Sequence, residues 1–134
     1  MQTVDFPNLI SFDRGEFESC SSLTTITVSD NLSNVPESTF RGCENLTTIN
    51  GATNITSVGN GAFLNCKNLV KTFDLSNTVT LAADAFKNCA KCTFLNIENV
   101  SNFSESCLVG CNGITSLTFK DGVTVGLWPF EENK

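Results

Sequence analysis

Residues 40–49 read Phe-Arg-Gly-Cys-Glu-Asn-Leu-Thr-Thr-Ile, and residues 63–69 read Phe-Leu-Asn-Cys-Lys-Asn-Leu. One frame, Phe-x2-Cys-x2-Leu-x2-Ile, underlies both, and it recurs outward in both directions. Cysteines fall at 20, 43, 66, 89 and 111, at intervals of 23, 23, 23 and 22. Three residues before them stand Phe17, Phe40, Phe63, Phe86 and Leu108; three after stand Leu23, Leu46, Leu69, Cys92 and Ile114. Ile26, Ile49, Leu95 and Leu117 follow three later, and an inserted residue puts Phe73 in that place in the third unit. Phe12, Val35, Val58, Leu81 and Phe103 precede the Phe column by five. A unit of 23 residues cannot bury its own apolar side. Stacked units can, because each column then becomes a continuous ladder through the interior.

Leu23-x-x-Ile26-x-Val28 contains a period-two stretch rich in Thr and β-branched residues, which predicts a short strand with one inward face. Its counterparts are 73–75, 95–97 and 117–119. Unit two breaks off at Ile49-Asn50-Gly51, so its strand is expected to be shorter. Asn, Gly, Pro and Asp cluster after each strand and mark turns. Parallel strands stack about 4.8 Å apart, so five would span roughly 20–25 Å.

"AFLNCKNL" (62–69), "TFRGCENLTTI" (39–49) and "FESCSSLTTITV" (17–28) resemble the core of the BspA-type leucine-rich repeats, over about residues 9–120. The resemblance implies an α/β-type repeat solenoid of about five 23-residue units. It would have a short parallel sheet on one face and turns or 3₁₀-like segments on the other. It also implies a surface protein of the kind found in bacteria and mucosal protists, active in adhesion and protein binding and not in catalysis. The chain departs from the family in lacking Ile-Pro after the strand, where Val28-Ser29 and Ile97-Glu98 stand, and in showing no cell-wall anchor or membrane tail. One domain is expected over 1–134, with an N-terminal cap or half unit (1–12), repeats (13–120) and a C-terminal cap (121–134).

Composition narrows the function. The 134 residues are 40% hydrophobic and 16% charged, as in a globular chain. Eight Lys and Arg against fourteen Asp and Glu give a net charge of −6, which argues against nucleic acid or an anionic membrane as partner. No apolar run approaches the roughly 18 residues of a membrane span, and no secretion signal is visible in MQTVDFPNLISF. Histidine is absent, which removes the commonest general base and metal-binding nitrogen.

Seven cysteines invite a disulfide, metal or nucleophile. Cys92, however, replaces Leu in its column, and Cys107 stands where Ala62 and Ala85 precede the Phe column. Every cysteine therefore occupies a small or apolar core position, where a free thiol behaves as a buried hydrophobe. The competing readings are a four-thiolate zinc site from Cys89-x2-Cys92 and Cys107-x3-Cys111, and a Cys92–Cys107 disulfide. The ladder opposes the zinc site, since four inward thiols would have to converge on one point. A catalytic cysteine lacks a proton-accepting partner. No metal and no cofactor are expected.

Outward strand positions remain free for recognition: Thr25, Thr27 and Ser29; Thr48, Asn50 and Ala52; Thr72, Asp74 and Ser76; Phe94, Asn96 and Glu98; Ser116, Thr118 and Lys120. The surface is rich in hydroxyls and amides, fit for a protein or glycan, although Thr is also favoured there by strand propensity alone. Phe94, an aromatic among small polar groups, is the sharpest candidate anchor, unless the fourth unit slips by one residue and buries it. Asn-x-Ser/Thr triplets at Asn31, Asn45, Asn54, Asn99 and Asn102 are glycan acceptors only on a eukaryotic secretory route, and the repeat consensus itself generates Asn-Leu-Thr. At the ends, Val4, Phe6, Leu9 and Ile10 look like a degenerate half unit. Trp128 and Phe130 suit either a cap or a contact with a second copy. The expected role is an extracellular or cell-surface binding module. The alternative is a structural spacer or assembly unit that self-associates through its ends.

Overall fold

The computed structural model describes residues 2–70, 75–92, 97–114 and 121–126. The chain winds into a solenoid of about five turns in which, among the described residues, eight strands, all parallel, form two sheets. The first sheet joins β1 (Gln2–Phe6), β2 (Leu23–Val28) and β4 (Thr48–Asn50) in the order β1-β2-β4. Five two-residue strands form the second: β3 (Asn34–Val35), β5 (Ser57–Val58), β6 (Thr80–Leu81), β7 (Asn102–Phe103) and β8 (Thr124–Val125).

The period-two segment of unit one is β2, and unit two's strand is indeed the shorter. Gly51 explains the difference. It sits at φ +87°, and a Cβ there would run into the Val28 carbonyl, so the chain leaves the sheet. Only a residue without a side chain fits that turn. Most of the counterparts in units three to five fall outside the described residues, but their inward ends Leu75 and Ile97 are buried. Residues 2–6 do more than expected of a half unit: β1 runs beside β2 with Val4 opposite Ile26 and Phe6 opposite Val28.

The second sheet was not foreseen. Val35, Val58, Leu81 and Phe103 are its inward residues, each fully or almost fully buried. A two-residue strand has no alternation to reveal it; its apolar column was legible only as periodicity.

The expected 3₁₀ segments are corrected. Among the described residues there is no helix of any kind. The side opposite the sheets consists of turns in which N–H groups alternate between two acceptors. Ser38, Phe40 and Gly42 donate to Asn60, Ala62 and Leu64 of the next unit, whereas Thr39, Arg41 and Cys43 donate back to Pro36, Ser38 and Phe40. Units one, three and four repeat the inter-unit triple from Gly15, Phe17 and Ser19, from Gly61, Phe63 and Asn65, and from Asp84, Phe86 and Asn88. The alternation requires left-handed residues on both sides of the Phe column. Gly15, Ser38, Gly61, Asp84 and Ser106 before it, and Ser19, Gly42, Asn65, Asn88 and Gly110 after it, all have positive φ. A run of right-handed 3₁₀ turns is incompatible with that backbone. Gly, Asn and Asp are the residues most at home there.

The columns meet in one core. Phe17, Phe40, Phe63 and Phe86 stack face to face, with centroids 5.6, 5.3 and 4.8 Å apart and interplanar angles of 5°, 13° and 4°. Phe12 closes one end edge-on to Phe17 and Phe40. Aromatic rings gain from such contacts beyond the area they bury.

Phe63 has no exposed surface and stacks on a ring on either side. Phe63→Ala is expected to destabilise the chain by about 3–5 kcal/mol, read as a shift in the urea midpoint; a loss below about 1 kcal/mol would show that the ring column is not a supporting ladder.

Candidate functional site

In the first sheet the register places two polar rows on the outer face. Thr3, Thr25 and Thr48 are cross-strand partners, as are Asp5, Thr27 and Asn50. The residues between them, Val4, Ile26 and Ile49, point into the core. Thr25, Thr27, Thr48 and Asn50 are half-buried and sit shoulder to shoulder. At the strand entry, the Thr24 hydroxyl donates to the Gln2 carbonyl at 3.0 Å and the Thr47 hydroxyl to the Thr24 carbonyl at 3.1 Å. The strand direction is thus held by side chains as well as by the ladder.

Two residues expected on this face are not there. Ala52 is wholly buried, because Gly51 and Ala52 both take positive φ and end the alternation. Ser29 is 9% exposed, and its hydroxyl turns into the corner to accept the Asn31 N–H at 3.0 Å. Glu98 is exposed and Ser76 half-buried. Thr72, Asp74, Phe94, Asn96, Ser116, Thr118 and Lys120 lie outside the described residues, as do Trp128 and Phe130.

A second polar row was missed. On the other sheet Asn34, Ser57, Thr80, Asn102 and Thr124 are in register, and the Ser57 hydroxyl bonds Asn34 Oδ1. The signal was a polar residue before each member of the Val35 column, too short a pattern to separate from loop sequence.

Charge is held elsewhere. Arg14–Glu37 (3.0 Å), Lys67–Glu44 (3.4 Å), Arg41–Glu18 (3.9 Å) and Lys87–Asp84 (3.9 Å) pair in or beside the turns. All are exposed, so each contributes at most about 1 kcal/mol. Asp5 is the one charged residue in the two rows of the first sheet, and the row of the second carries none. A shallow groove of about 190 Å³ on the turn side is lined by Glu37, Arg41, Asn60 and Asp84 among others.

The cysteines form a column with one shared job. Cys43, Cys66, Cys89 and Cys111 donate their Sγ–H to the carbonyls of Phe17, Phe40, Phe63 and Phe86, at 3.0, 3.0, 3.1 and 3.0 Å. Each carbonyl also accepts the N–H of the cysteine in its own unit. A carbonyl has two lone pairs, and this arrangement uses both. All seven thiols are free, and six are buried; Cys20, at the end of the column, is half-exposed. No group of three or more Cys, Asp or Glu among the described residues is placed to hold a metal ion. Burial pushes the Cys43, Cys92, Cys107 and Cys111 thiols up to about 12 and raises Cys66 and Cys89 well above the usual range. Thiols held protonated this way are poor nucleophiles.

The model of the BspA-type leucine-rich repeat region, counted as six copies, matches residues 1–133. No curated protein matches the chain. Among solved structures, a leucine-rich cell surface protein of Faecalibacterium prausnitzii superposes with a TM-score of 0.80 at 17% identity, covering 94% of this chain and 38% of that one. The T. pallidum leucine-rich repeat protein gives 0.71 at 17% identity, covering 97% and 75%. A Bacteroides ovatus leucine-rich repeat protein gives 0.67 at 18% identity, covering 98% and 41%. The chain thus spans about two fifths of the length of two of these proteins.

The thiols generate a prediction in two parts. At pH 8 an aromatic disulfide reagent is expected to label one thiol of the native chain quickly, Cys20, and all seven after denaturation; rapid labelling of several would remove the buried column. Because the folded thiols hold their protons above the ordinary value near 9, the unfolded chain binds fewer protons between about pH 9 and 12. Stability should be level in this respect below pH 9 and fall as pH rises toward 12, as urea midpoints across that range would show.

Proposed function

Since the chain belongs to the BspA-type leucine-rich-repeat family, we propose that it is a non-enzymatic binding module of a cell surface, which engages a protein or glycan through the outer face of its first sheet. The family supports an interaction module. The observation that carries the choice of face is its chemistry: in-register hydroxyls and an amide at Thr25, Thr27, Thr48 and Asn50, with the ion pairs kept at the turns. A surface mainly of hydroxyls and amides can exchange hydrogen bonds with a neutral partner while desolvating little charge. In this proposal the face continues through Thr72, Asp74, Phe94, Asn96, Glu98, Ser116 and Thr118, with Phe94 as apolar anchor.

An assembly unit is the second reading, and exposed apolar groups at the N-terminal end favour it. Ile10 is 69% exposed and Phe6, the last residue of β1, 37%; β1 is an edge strand of the first sheet. Edge strands with apolar neighbours pair with other chains unless guarded. Trp128 and Phe130 are the corresponding candidates in the C-terminal segment.

Two measurements separate these roles. In a binding screen against matrix proteins and glycans, Thr25→Arg with Thr48→Arg, or Phe94→Ala alone, is expected to weaken a hit by about tenfold or more while the melting temperature stays put; undiminished binding would exclude this face. In light scattering, the assembly role predicts concentration-dependent association that Ile10→Ser or Trp128→Ala reduces and the sheet variants do not. A chain monomeric at all concentrations excludes it.

A further inference from the structure

The five Asn-x-Ser/Thr triplets differ once folded. In three of them the downstream hydroxyl is committed to the preceding unit: Thr47 to the Thr24 carbonyl at 3.1 Å, Thr56 to the Ser33 carbonyl at 3.1 Å and Ser101 to the Val79 carbonyl at 3.5 Å. The asparagines of the same triplets are tied as well. Asn45 Nδ2 donates to the Ser21 carbonyl at 2.8 Å and Asn99 Nδ2 to the Ser76 carbonyl at 2.7 Å, while Asn54 Oδ1 accepts Asn77 Nδ2 at 3.5 Å. These bonds span 22 to 24 residues, so they belong to the stacking of units. The other two triplets are different. Asn31 and Asn102 are exposed, and among the described residues neither their side-chain amides nor the hydroxyls of Ser33 and Ser104 have a partner.

We propose that Asn31 and Asn102 are the two N-glycan acceptor sites of the folded chain, and that Asn45, Asn54 and Asn99 carry the triplet only as ladder residues. The donor is an oligosaccharide linked through pyrophosphate to a lipid. Asn Nδ2 forms a bond to the anomeric carbon, the bond from that carbon to the pyrophosphate oxygen breaks, the lipid pyrophosphate leaves with the electron pair, and the amide proton passes to a base of the transferase. The triplet is read through both its amide and its hydroxyl, and the fold leaves both free at only these two places. A sugar on Asn45 or Asn99 competes with a bond that fastens one unit to the last; a sugar on Asn31 or Asn102 displaces nothing. Asn31 sits in the corner after β2, and Asn102 lies in the row of the second sheet. Neither is in the rows containing Thr25, Thr27, Thr48 and Asn50, so glycans there leave the proposed binding face open.

Occurrence of this modification in the cell rests on the surface location proposed above; acceptor competence does not, and the test reads competence. The purified full chain is offered, folded and separately unfolded in urea then diluted, to a eukaryotic oligosaccharyltransferase with its lipid-linked oligosaccharide. Sites are mapped by mass spectrometry after enzymatic release in heavy-oxygen water. The folded chain is expected to gain glycans at Asn31 and Asn102 alone, and the unfolded chain at Asn45, Asn54 and Asn99 also. Ser33→Ala and Ser104→Ala should each abolish one site while native thiol labelling stays at one. Labelling of the folded chain at Asn45, Asn54 or Asn99 to the same extent overturns the proposal, as does a folded chain unlabelled at Asn31 and Asn102 when the unfolded chain is labelled there. A negative binding screen alongside positive glycan transfer would count against the proposed function and not against these sites.

Discussion

The structure depends on pairing the buried main-chain groups of the Phe column between neighbouring units. A solenoid without helices, among the described residues, cannot satisfy its backbone within one unit. The groups must be paired between units, and an unpaired buried carbonyl costs about 1–3 kcal/mol. The carbonyls of Phe17, Phe40, Phe63 and Phe86 each take one N–H from their own unit and one S–H from the next. That constraint selects the neighbouring residue. It must be small, apolar enough for the interior and able to donate one hydrogen bond, and cysteine meets all three conditions. The high cysteine content is then a property of the backbone, and the upward shift of the buried thiols comes from their removal from water.

Once the interior is fixed in this way, the outside divides by chemistry. The turn side, where the chain reverses most sharply, holds the ion pairs; the two sheets present hydroxyls and amides. The separation has a local cause. Turns admit long charged side chains such as Arg41, Lys67 and Lys87 with ample room, whereas strands 4.8 Å apart favour β-branched Thr, which packs against its cross-strand neighbours. The proposed binding face and the proposed glycan sites both follow from which of these small polar groups the stacking consumes and which it leaves over.

Much of the fold was legible because the Phe, Cys and Leu columns recur with almost no drift, and a column of Phe17, Phe40, Phe63 and Phe86 has no other economical reading than a shared core. Other parts were hidden for specific reasons. The second sheet consists of residue pairs such as Ser57-Val58, below the length at which alternation can be seen. The left-handed turn positions are filled by Gly, Ser, Asp and Asn interchangeably, so no single letter repeats. Ala52 was misplaced because two consecutive positive-φ residues reverse the alternation that Thr48 and Asn50 had established. Of the candidate site, Thr25, Thr27, Thr48 and Asn50 were legible from simple alternation within β2 and β4. The row from Asn34 to Thr124 was not, nor the division of the Asn-x-Ser/Thr triplets, since only the folded chain shows which hydroxyls are already engaged.

The stacked turns have one further property. Within each, the peptide groups 37–38, 39–40 and 41–42, and their equivalents, direct N–H toward later units and C=O toward earlier ones. A peptide group carries a dipole of about 3.5 D, and here three per unit align with the long axis. On the sheet side N–H groups point the other way in similar number, from Val70, Val79 and Ala82 to Thr47, Thr56 and Val58 and from their equivalents in the neighbouring units, so the two sides largely offset each other. The array is therefore divided at every junction, the earlier unit offering donors on the turn side and acceptors on the sheet side. Anything that continues it, whether more of the same chain or another molecule, must add with matching orientation, tail onto head.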